Sequence, residues 1–191
     1  MNRSVKTYAA LGLVGAMSVA GLVMAAQAQT VPAKPGLWAS ASKVELNGRA
    51  MPTLFDINGI PDAKKAQMRQ SMAAAGLPAG WNPFLTCETA TQVDLQEVLD
   101  KMKAQGCTAA ITSQTGSRVT ASLQCTNVSG NGAGTVEVTG IGTTTVNYVA
   151  NLSGVMLGQP MTYKGSTVSR FLGSSCTDLP PGVDASMVTQ H

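Results

Sequence analysis

From residue 107 to residue 176, apolar side chains recur at every second position in short runs separated by glycine-rich breaks. Val136 and Val138 mark one run, Val146, Tyr148, Ala150 and Leu152 alternate through the next, and another extends from about residue 161 to 172. A period of two is that of a strand with one buried face, and the TG, GNG, GIG and LGQP breaks carry turn chemistry. With a hairpin about Gly116, these runs predict a five-strand antiparallel meander. Upstream, residues 34–48 predict a first strand with a patchy apolar face: Trp38, Val44 and Leu46 share one parity, with Ser40 and Ser42 between them.

The period changes twice before the meander. In IPDAKKAQMRQSMAAAGLP, Pro61 and Asp62 open a helix over 61–75 that Gly76 and Pro78 close. Lys64, Lys65 and Arg69 give it a basic face, and Met68, Met72 and Ala75 a soft apolar stripe. A short strand over 83–87 then leads to a second helix over 91–105. Leu95, Val98, Leu99 and Met102 have amphipathic spacing there, Thr91 and Asp94 approximate a capping box, and Gly106 ends it. The fold class predicted is α+β: a curved antiparallel β-meander of six to seven strands with the 91–105 helix packed on it, the 61–75 helix as a peripheral insert, and two disulfides.

The first residues change the address. Arg3 and Lys6 precede an uncharged apolar run ending in Ala26-Gln27-Ala28, the pattern of a secretory signal peptide over 1–28. Cleavage there would leave 163 residues from Gln29: a single domain over 29–176 and a flexible tail over 177–191. No later stretch is apolar enough to span a membrane, so the expectation is a periplasmic or secreted protein. Without Arg3 and Lys6, 11 basic residues stand against 10 acidic ones, and no basic run exceeds Lys64-Lys65. That balance argues against a nucleic-acid partner.

Export puts all four cysteines where disulfides persist. Folding the segment 107–125 back about Gly116 sets Cys107 opposite Cys125, Ala109 opposite Leu123 and Ile111 opposite Ala121 on one face. A three-residue loop wants its left-handed glycine last, and Gly116 would stand in the middle. Shifting the register by two would keep the faces but move the cysteines to a diagonal, so the pairing is predicted with both registers open. Cys87 and Cys176 are left for the second bridge.

Chemistry-bearing patterns are sparse. The chain has no CxxC and a single histidine, His191, so neither a metal site, a thioredoxin-like centre nor a His-activated nucleophile is predicted, and no cofactor is implied. Asp94, Glu97 and Asp100 read as a solvated helix face beside Lys101 and Lys103. Methionines such as Met51, Met156 and Met161 read as core filler rather than a soft copper site.

The order of features resembles a known family. KPGLW over 34–38, a Pro-Asp helix, and the cysteine order Cys87, Cys107, Cys125, Cys176 with Gly173 before the last are similar to the exported bacterial family catalogued as domain of unknown function 3617. The resemblance spans residues 34–176 and implies an envelope protein of Gram-negative bacteria with no assigned activity. The leading expectation is a non-catalytic periplasmic binding or structural module. Trp81, Phe84, Met68 and Met72 are its candidate contacts for a small apolar ligand, because curled sheets commonly hold ligands at their mouths. A module that docks an envelope protein through a strand edge or the basic helix is the alternative, and a carboxylate-based hydrolase ranks last.

Overall fold

A computed structural model of the 191-residue chain describes residues 30–127, 130–180 and 188–190. The expected signal peptide and its cleavage point lie outside these residues. The elements, in order, are β1 (Thr30–Pro32), β2 (Gly36–Leu46), β3 (Arg49–Ala50), α1 (Asp62–Ala74), β4 (Asn82–Glu88), β5 (Gln92–Asp94) and α2 (Leu95–Ala104). They continue with β6 (Cys107–Thr115), β7 (Arg118–Asn127), β8 (Gly130–Thr139), β9 (Thr145–Met156), β10 (Gln159–Gly173) and β11 (Val188–Gln190).

The architecture is α+β, with the meander β6 to β10 running antiparallel in sequence order. The main sheet has nine strands rather than six or seven: β11-β4-β2-β10-β9-β8-β7-β6, with β3 folded onto β2. Two short strands account for the excess. β3 is the return of a tight turn at Asn47-Gly48, and β11 adds parallel to β4, pairing Val188 with Leu85. Part of the C-terminal stretch taken from the sequence as a loose tail is therefore sheet. β1 and β5 form a separate two-stranded ribbon, with Val31 opposite Val93.

Register and alternation explain why β2 looked patchy. Its core-facing side changes along its length. Leu37, Ala39 and Ala41 stand on the face that carries Leu85 of β4 and Val168 of β10. Val44 stands on the other, in a cross-strand row Ala121–Val136–Ala150–Gly165–Val44 that spans five strands. Every residue of 36–41 is consequently buried, Ser40 included, whose hydroxyl is satisfied by Ser169 at 2.8 Å.

β8 and β9 approach closely where glycine stands in place of a side chain. A Cβ at Gly134 would collide with the carbonyl oxygen of Asn151, and one at Gly154 with that of Asn131, so only glycine permits this strand approach.

The two helices meet the sheet in different ways. α1 buries Met72 in a cluster with Ala39, Ala41, Phe55 and Leu77, and packs Met68 and Ala75 against it. α2 buries no side chain fully and leaves Val98 exposed, touching chiefly the start of β6. Its expected capping box also shifts. Residues 92–94 are drawn into the ribbon with β1, so the cap is Asp94, whose carboxylate accepts from the Gln96 N–H at 2.8 Å.

Both disulfides form, Cys107–Cys125 and Cys87–Cys176. The hairpin keeps Cys107 directly opposite Cys125 as far as Ile111 and Ala121, then slips by one residue at Thr112 to pair Ser113 with Thr120. This bulge leaves a two-residue connection, Gly116-Ser117, and removes the conflict of a central glycine in a three-residue loop.

Candidate functional site

α1 lies over β2 and β4 without filling the space between them. Ala39 on the sheet side and Met68, Met72 and Ala75 on the helix side border a cavity of about 520 Å³. Pro83, Phe84 and Leu85 of β4 form one wall, and Leu172 and Pro180 close it further along. The gap follows from residue size: Ala39 and Ala41 place only methyl groups under the helix. The methionines opposite are flexible side chains that adapt to an irregular boundary.

A compact turn holds the other end. Asp56 accepts from the Thr53 N–H at 2.8 Å and from its hydroxyl at 2.9 Å, and the Leu54 N–H donates to Asn82 Oδ1 at 2.7 Å. The Thr53 hydrogen bonds hold the Asp56 carboxyl below the ordinary aspartate range, and Lys65 and Arg69 add to the effect. α1 is fastened to this turn by two of its cations. Lys65 Nζ donates to the Phe55 carbonyl at 2.9 Å, and the Arg69 guanidinium lies 4.6 Å over the Phe55 ring.

Lys64 is different. It recurs with Met68 and Met72 at four-residue spacing and lines the cavity, so the three cations do not form one basic face. Among the described residues no carboxylate lines this cavity. A shallower groove across β8 to β10 carries one carboxylate, Glu45, which Lys43 engages at 2.6 Å. Its hydrogen bond to Lys43 holds the Glu45 carboxyl below the usual range, with the Lys43 charge adding to the effect. Among the described residues no three of His, Cys, Asp and Glu gather as metal ligands would.

Of the candidate contacts, Met68, Met72 and Phe84 line the cavity. Trp81 does not line it; its half-buried ring packs against the cluster beneath α1. Sequence reasoning missed Ala39, Lys64 and Leu172. Lys64 had a signal, since counting back by fours from Met72 reaches it. Leu172 and Ala39 had none, because they meet the helix only through strand pairings distant in sequence.

The KPGLW segment belongs to a neighbouring structural node. Gly36 has φ +131, and a Cβ there would strike the Gly173 carbonyl. Leu37, fully buried, pairs with Cys87 on one side and Gly173 on the other. The Trp38 indole N–H donates to the Lys34 carbonyl at 2.9 Å, its ring meets Phe171 edge-on at 5.5 Å, and the Lys34 ammonium lies 4.1 Å over Phe171. The Cys87–Cys176 bridge fastens the same corner.

An α+β domain with a helix-covered apolar cavity and two disulfides defines a class of small disulfide-stapled domain. The chain belongs to the family described as protein of unknown function (DUF3617), which it matches over residues 33–176. It is also similar to a Pseudomonas putida protein described as "Uncharacterized protein in lpd-3 5'region", 28% identical over 107 residues, covering 53% of this chain and 75% of that protein. No solved structure matches. The disulfides are those of an oxidising compartment, and no helix among the described residues is long and apolar enough to cross a membrane.

Proposed function

We propose that this protein is a non-catalytic binding module of the periplasm that houses a small apolar molecule between α1 and the sheet. The cavity of about 520 Å³ carries this reading. It falls within the range of roughly 300–1,000 Å³ of small-molecule sites, which are mostly apolar with a few polar groups that orient the ligand. Saturable binding of the uncharged fluorophore N-phenyl-1-naphthylamine, one per chain, is the expected result. A Ser71→Phe variant, which places a ring in the cavity, should bind it at least tenfold more weakly while unfolding at an unchanged temperature. Linear, unsaturable fluorescence, or wild-type affinity in Ser71→Phe, would contradict the reading.

A second reading rests on the outer strand β6. It spans nine residues at the sheet edge and carries neither charge nor proline, the features that usually discourage edge pairing. Such an edge suits a partner that adds a strand. Crosslinking from Gln114 in cells should then trap one saturable envelope partner, and only diffuse adducts would argue for the cavity alone.

A further inference from the structure

We infer that the occupant of the α1 cavity is a single-chain amphiphile with an anionic head, its head group paired with Lys64 and its tail lying along Met68 and Met72. This rests on the proposed binding role and names the ligand class. Three observations carry it.

The first is charge. Among the described residues, Lys64 is the one charged side chain on the cavity wall, and no carboxylate lines it. Among the described residues no carboxylate pairs with its ammonium, whereas Lys65 and Arg69 are engaged by Phe55. The two nearest acids in sequence are otherwise placed: Asp56 is bound by Thr53, and Asp62, in the first turn of α1, does not line the cavity. A cation at an apolar wall keeps its head in water and its stem on apolar surface, which suits an anion held at the rim.

The second is direction. Lys64, Met68 and Met72 lie on one stripe of α1, so about 12 Å of helix axis separates the charged end from the buried end. A molecule matching this stripe is polar at one end and apolar along its length.

The third is size. An apolar cavity of about 150 Å³ holds a six-carbon benzene ring. By that measure the cavity of about 520 Å³ takes roughly twenty carbons, one acyl chain with its head rather than the two chains of a membrane phospholipid.

The test compares dodecanoate with dodecanol by isothermal titration calorimetry on the exported protein, below micelle-forming concentrations and at low salt. Dodecanoate should bind roughly tenfold more tightly than dodecanol. Lys64→Glu should leave dodecanoate binding no more tightly than dodecanol, and Lys103→Glu on α2 should leave both affinities unchanged. Equal binding of the two ligands, an unaffected Lys64→Glu variant, or an equal loss in Lys103→Glu would overturn the anionic head and leave the cavity reading standing. Failure of both ligands to bind would overturn the cavity reading and this inference with it.

Discussion

The two disulfides close loops of very different length, so they should stabilise the domain unequally. Cys87 and Cys176 are 89 residues apart, Cys107 and Cys125 only 18. Chain-entropy arithmetic gives about 4.6 kcal/mol for the longer loop and about 3.2 kcal/mol for the shorter, a difference of 1.5RT ln(89/18), about 1.4 kcal/mol. Two features of the structure widen the gap. Cys87 is buried at the corner where Leu37 pairs with it, so truncating it also removes packing. Cys107 and Cys125 close a hairpin whose ends a two-residue turn already brings together, so the unfolded chain gains less freedom when that bridge is cut. The assay is thermal and urea unfolding of two double variants, Cys87→Ala/Cys176→Ala and Cys107→Ala/Cys125→Ala. The first should melt at least about 3–6 °C below the second. Equal melting, or a larger loss on removing the hairpin bridge, would refute the reasoning that loop length and the β2–β4 corner govern stability.

Other perturbations probe the remaining structure. Met72→Ala should cost about 2–4 kcal/mol by denaturant titration, whereas Leu99→Ala on α2 should cost about 1 kcal/mol or less, because α1 and not α2 supplies a buried side chain. Gly134→Ala should destabilise severely or prevent folding, since its Cβ meets the Asn151 carbonyl; Gly116→Ala should be nearly neutral in melting temperature, because a Cβ there meets nothing. Asp56 has a folded pKa below its unfolded value, so its contribution is fully present above the ordinary aspartate range and is lost as pH falls through its lowered value. Asp56→Asn should therefore flatten the acid side of the stability profile between those two values, read by urea unfolding across pH 2–6.

The β half of the fold was legible because its chemistry is local. Alternation from Val136 to Leu152 and the glycine breaks locate β8 and β9 without reference to anything else, and the cysteine and apolar registers agree over 107–111 and 121–125. The slip at Thr112 was not legible, since a one-residue bulge leaves both faces plausible until the turn length is known. The burial of the helices was less legible for the opposite reason. α2 has the stronger amphipathic pattern, yet its stripe stays half-covered, while α1's weak stripe of methionine and alanine meets the small side chains of β2 across thirty residues of chain. Burial there depends on which surface the sheet presents, and β2 changes its apolar side midway. The cavity inherits that limit. Met68, Met72 and Phe84 could be named from composition and position, whereas Ala39 and Leu172 join them only through the β2–β10 pairing.

The central claim is that α1 and the sheet enclose an occupied apolar site. Native mass spectrometry of the protein purified gently from the cells that make it tests it most directly. The account predicts a population heavier than the two-disulfide polypeptide by one single-chain anionic amphiphile, reduced in Ser71→Phe and in Lys64→Glu. A bare polypeptide mass in all three, with no adduct formed on adding dodecanoate, would contradict it.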